Sequence, residues 1–101
     1  MVFVYTTCKD IDEAKNLGAL IVSEKIATGV DFWPISSCSN WNGSFKCIEQ
    51  AMLRIVTFEA KIDKVNEIIS ENHKYSVPMI AGVDVRRINY PYKEWMTQEI
   101  G

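Results

Sequence analysis

Apolar positions along the chain fall into short runs whose period switches between two and about 3.6, and the switches mark the elements. Val2 to Thr6 is short, apolar and rich in β-formers, which predicts a first strand. Ile11, Ala14, Leu17 and Ile21 then recur at helical spacing. Asp10 stands where an N-cap is wanted, Asp12 and Glu13 fill the first turn where the macrodipole favours anions, and Gly29 is the expected stop. Val30 to Trp41 and Ser44 to Thr57 are two long runs of β-branched, aromatic and small residues separated by Asn42-Gly43. Asn-Gly between strand-like runs is a strong hairpin signal, because a type I′ turn needs positive φ at both positions.

Thr57 is placed to cap a second helix, in which Ile62, Val65, Ile68 and Ile69 form one apolar stripe against Lys61, Asp63, Lys64 and Glu67, ending at Asn72. Val77 to Arg86 reads as a fourth strand with Pro78 at its start, and Asn89 to Ile100 as a terminal helix with Pro91 near its first turn. The order is βαββαβ plus a last helix. That predicts an α+β, ferredoxin-like domain over residues 1–101, with two helices on one face of an antiparallel sheet.

The hairpin strands are too long for the small sheet that two helices cover. With a two-residue turn, opposed positions sum to 85, which pairs Trp41 with Ser44, Cys38 with Cys47, Trp33 with Met52 and Asp31 with Arg54. One face then carries Val30, Phe32, Leu53 and Ile55, the other Trp33, Ile35, Ile48 and Met52. Both faces are apolar, so the second predicts a surface for self-association. Pro34 marks a place for a bulge, which would shift the register beyond it.

Composition narrows the function classes. Eleven basic and thirteen acidic side chains give a net charge of −2, with no basic patch interleaved with aromatics, so nucleic acid is not an expected partner. No apolar run approaches the ~20 residues of a membrane span, and the first ten residues lack the basic start of a signal peptide. A cytoplasmic protein is expected. Three cysteines without CxxC spacing fit neither a disulfide framework nor a zinc ribbon. No phosphate loop, HExxH, nucleophile elbow or EF-hand loop occurs, and a non-enzymatic role is expected.

Five segments in this order and spacing resemble the CutA family of divalent-cation-tolerance proteins: SEKIATGVDFWPISS, WNGSF, RIVTFEA, HKYSVPMI and NYPYKEWM. The resemblance covers nearly the whole chain. It implies a ferredoxin-like subunit in a homotrimer similar to the PII signalling proteins, with strands paired across subunits, clefts between them, and a link to tolerance of copper and other divalent metals. The chain departs from the family pattern at four places. Gly29 stands where many members have cysteine, Val56 where lysine is frequent, Lys74 in place of a proline, and Met79 in place of a glutamate. Three of these changes remove a charge or a metal-binding atom, which implies a partly dismantled polar cleft.

The candidate metal ligands are His73, Cys38 and Cys47. Neutral imidazole suits copper, zinc and nickel, but a histidine at a helix C-terminus is also favoured by the dipole and by the last carbonyls. Cys38 and Cys47 face each other across the hairpin, where they bridge, bind Cu(I) as thiolates, or pack as small residues; in a reducing compartment packing is the expectation. Cys8 beside Lys9 would have a lowered pKa. Trp41, Tyr75, Tyr92 and Trp95 are the candidate cleft residues, although Tyr75 also serves to shape the turn into the last strand.

Three functional readings follow. The first is a metal- or ligand-binding trimer, and the second a trimeric scaffold for a protein partner that has lost metal binding. The third, an acylphosphatase-like hydrolase, shares the layout but needs an early phosphate loop with arginine, and Thr6 to Asp10 contains neither glycine nor arginine.

Overall fold

The computed structural model describes all 101 residues. Strand β1 (Val2–Cys8), helix α1 (Ile11–Ser23), strands β2 (Gly29–Trp41) and β3 (Ser44–Thr57), helix α2 (Ile62–Asn72), strand β4 (Ala81–Asp84) and helix α3 (Tyr90–Ile100) follow one another in the expected order. The sheet runs β2-β3-β1-β4, antiparallel throughout, which is the ferredoxin-like arrangement.

The hairpin register holds from Trp41↔Ser44 through Cys38↔Cys47 to Gly29↔Val56, so Pro34 makes no bulge. Asn42 and Gly43 have φ of 50° and 80°, as a type I′ turn requires. Proline is tolerated because β2 is an edge strand, on which a missing donor costs no ladder bond. Strands of 13 and 14 residues carry the hairpin well beyond the helices, and the subunit measures 46 × 25 × 21 Å.

Four boundaries differ from the sequence expectation. β1 continues to Cys8, because Thr7 and Cys8 still pair with Met52 and Ala51 on the long β3. α1 stops at Ser23, not at Gly29: Lys25 takes the left-handed conformation (φ 59°), its N–H donates to the Val22 carbonyl, and Gly29 instead opens β2. Thr57 caps no helix. It ends β3 with its hydroxyl on the Ile26 carbonyl, and a 3₁₀ turn at Glu59–Lys61 leads into α2. β4 is four residues long, since only Ala81–Asp84 find partners on β1 and residues 77–80 lie outside the ladder.

α1 and α2 cover one sheet face. Val2, Val4, Leu53 and Ile55 from the sheet pack there against Leu17, Ile21, Val65 and Ile69 from the helices. Gly18 lets α1 come close: a Cβ there would lie 2.7 Å from Val30 Cγ2. Thr6 points into the same layer and is fully buried, with no partner for its hydroxyl. An orphaned buried hydroxyl is a net cost, so Thr6→Val should stabilise the fold by about 1 kcal/mol in urea unfolding. The opposite sheet face is only partly covered within the subunit: Val56 is buried on it, and Met96 and Ile100 of α3 are buried apart from the layer beneath α1 and α2. Trp33, Ile48 and Val83 stand exposed on it beside Phe3 and Ile35, around an Arg54–Asp31 ion pair of 2.7 Å whose guanidinium lies 4.9 Å from the Phe3 ring.

Candidate functional site

The site is organised where α1 begins, β1 ends and α2 gives way to the 73–79 segment. Asp10 caps α1 by accepting the Glu13 N–H at 2.8 Å, and the Glu13 carboxylate accepts the backbone N–H of Lys9 at 2.7 Å and of Lys74 at 2.8 Å. One buried carboxylate thus ties the start of α1 to the chain leaving α2. His73 completes the tie. Its Nδ1 accepts the Tyr75 N–H at 3.0 Å, which leaves the proton on Nε2 to donate to the Thr7 carbonyl at 2.8 Å.

Cys8, Glu13 and His73 each offer a donor atom within 4.8 Å of the other two. Cys8 is completely buried, and its thiol is pushed up to about 12 by burial first and then by the nearby Glu13 and Asp10 carboxylates. This corrects the expectation drawn from Lys9, whose ammonium lies at the surface against Asp10. A thiol held neutral in the fold but free to ionise in the unfolded chain makes stability fall as pH rises. The loss should begin above about 9 and continue to about 12, with a slope of up to ~1.4 kcal/mol per pH unit. Cys8→Ala should remove that part of the alkaline slope in denaturant titrations.

The tie sets the next residues over the partly covered sheet face. Tyr75 donates its hydroxyl to Gln50 Oε1 at 2.8 Å, and burial raises its pKa. Between this segment and the hairpin lies a groove of about 580 Å³, walled by Trp41, Lys46 and Ile48 on one side and Lys74, Tyr75 and Met79 on the other. Trp41 and Tyr75 therefore share one site. Tyr92 and Trp95 do not line it; they pack on each other in α3 with ring centroids 5.4 Å apart. Cys38 and Cys47 are joined by a disulfide on the opposite face of the hairpin, with Cα atoms 4.0 Å apart.

A family model described as the CutA1 divalent ion tolerance protein matches residues 2–99. The chain belongs to the CutA1 family. That description names a tolerance, not a reaction. Among its relatives, the rice protein CutA 1, chloroplastic, is 32% identical over 96 residues, covering 94% of this chain, which in turn spans only 54% of the rice protein. The crystal structure of rice CutA1 superposes with a TM-score of 0.94 at 31% identity, over 99% of this chain and 93% of that one. CutA1 from Pyrococcus horikoshii gives a TM-score of 0.95 at 26% identity, over 100% and 99%.

Membership raises the question of a divalent metal, and the donors answer it locally. Cysteine, glutamate and histidine suit zinc or copper as a set. Here, however, both nitrogens of His73 are engaged, Nδ1 accepting the Tyr75 N–H and Nε2 donating to the Thr7 carbonyl, so the one imidazole of the set has no free lone pair, and burial disfavours the Cys8 thiolate. As folded, these three do not fit a resident metal. The disulfide likewise leaves Cys38 and Cys47 without free thiolates. The sequence reading missed Glu13 as more than a first-turn anion; the Asp10-x-x-Glu13 spacing of a capping box was the available signal. Two departures from the family pattern, Lys74 and Met79, both fall in the groove wall.

Proposed function

We propose that the chain acts as a non-catalytic CutA1 protein that assembles as a homotrimer and serves divalent-cation tolerance by binding a small ligand in its clefts. The observation that carries this reading is the partly uncovered apolar sheet face of the over-long hairpin. An exposed face with Trp33, Ile35, Met52 and Val83 on it would bury a large apolar area against other copies. The unpaired outer edge of β2, 13 residues long, gives a second means of joining subunits by strand pairing. In such an assembly Tyr92 and Trp95 of one subunit would extend the groove of another.

A direct copper or zinc role rests on Cys38 and Cys47 after reduction, with His73 the weaker candidate because its lone pair at Nδ1 is taken. That engagement of His73 favours the second reading, a trimeric scaffold for a protein partner with metal binding lost; Gly29, Val56 and Met79 point the same way. No helix is long and apolar enough to cross a membrane. The proposed compartment is the cytoplasm, where the Cys38–Cys47 disulfide would stand reduced.

Native mass spectrometry with Zn(II), Cu(II) or Cu(I), before and after reduction, separates the two readings. Metal taken up only after reduction, and lost in Cys38→Ser, supports metal binding at the hairpin. A metal-free trimer in both states leaves the scaffold.

A further inference from the structure

The groove between the hairpin and the 74–79 segment is charged the wrong way for a bare cation. Its eleven lining residues include Lys46 and Lys74 and no carboxylate. Neither ammonium has an acidic partner within salt-bridge distance, since the three ion pairs of the chain are Lys9–Asp10, Arg54–Asp31 and Lys64–Glu67. The lysines come from opposite walls, one from β3 and one from the turn after α2, so a negative group seated between them would be attracted from both sides. Lys74 is also placed firmly, because its backbone N–H is held by Glu13.

The remaining walls suit a flat apolar body. Trp41 stands 57% exposed at the hairpin end, and Ile48, Val77 and Met79 add apolar surface. Ser39, Ser76, Thr7 and Gln50 supply neutral polar groups around it. A volume of about 580 Å³ is that of a small-molecule site, within the range of roughly 300–1,000 Å³ usual for such pockets.

We infer that this groove binds a small aromatic anion, its carboxylate or phosphate between Lys46 and Lys74 and its ring against Trp41. This deepens the small-ligand part of the proposed function and rests on it; Trp41, Lys46 and Lys74 are the walls that one subunit contributes. A divalent cation would then reach the groove only as the counter-ion of such a ligand.

The test uses ¹H–¹⁵N NMR and calorimetry on the whole protein with three probes: 2-naphthoate, 1-naphthyl phosphate and the neutral 2-naphthamide. The expected result is saturable binding of one or both anions, with shifts at the Trp41 indole and at Lys46, Lys74 and Tyr75. The amide should bind at least tenfold more weakly. Lys46→Gln with Lys74→Gln should weaken anion binding tenfold or more, and Lys46→Arg with Lys74→Arg should restore most of it. Preference between the two anions identifies carboxylate or phosphate as the recognised group. No saturation at millimolar anion, equal binding of the amide, or binding undiminished in the glutamine variant overturns the inference. Subunit mass measured on the same samples keeps assembly separate, so a trimer without anion binding defeats the inference alone.

Discussion

Glu13→Ala should destabilise the protein by about 3 kcal/mol, the largest single-residue loss expected outside the hydrophobic layer. The carboxylate accepts two backbone N–H groups from different parts of the chain, Lys9 and Lys74, and is itself 8% exposed. Hydrogen bonds to a charged group contribute roughly 1.5–3 kcal/mol each, and donors left partly buried without a partner cost about 1–3 kcal/mol. The overlap of those two accounts, and partial access of water to the vacated site, bring the sum down to about 3. Glu13→Gln should lose less, since the amide oxygen still accepts one bond. The local signature is as specific as the global one. Amide exchange at Lys9, Lys74 and Tyr75 should accelerate in the alanine variant before the sheet is affected, because His73 and Tyr75 are held through the same turn. An alanine variant as stable as the parent would mean that the turn is fixed by His73 on Thr7 alone.

Trp33→Arg should convert the proposed trimer to monomers while leaving the subunit folded. Trp33 lies on the partly covered sheet face opposite Met52, outside the layer beneath α1 and α2, and is 38% exposed in the subunit. A guanidinium there would sit near Arg54, whose own charge is already matched by Asp31; the hydrogen bond that Arg54 donates to Asp31 is the main reason the Arg54 pKa is raised. Burying a second, unmatched cation in each subunit at a shared interface costs several kcal/mol per copy. A shift to the monomer mass by sedimentation, with the far-ultraviolet circular dichroism unchanged, is the expected outcome. Trp33→Phe should keep the assembly.

The sequence was most informative where local chemistry leaves one solution. Asn42-Gly43 set the hairpin turn, and a period of two carried the register from that turn to Gly29 without interruption. It was least informative at ends that tertiary contacts decide. The stop of α1 is made by Lys25 in a left-handed conformation, which no composition rule announces, and β4 is short because only Ala81–Asp84 pair with β1, whose Thr7 carbonyl accepts from His73 instead. The candidate site divides the same way. Trp41 and Tyr75 were candidates from the sequence, each with a packing or turn-forming alternative, and the fold sets both along one groove. The joining of Cys8, Glu13 and His73 was not, because they lie on three elements and meet only when α2 returns to the end of β1. Lys46 drew no attention in the sequence and Lys74 stood out only as a departure from the family pattern; the fold sets them on opposite walls of one groove.

Sedimentation equilibrium of the wild-type protein over a hundredfold range of concentration tests the assembly most directly. The account predicts one species at three times the 11.5 kDa subunit mass, with no dissociation at the dilute end. A species at the subunit mass throughout would leave the apolar sheet face without its proposed cover and contradict the account.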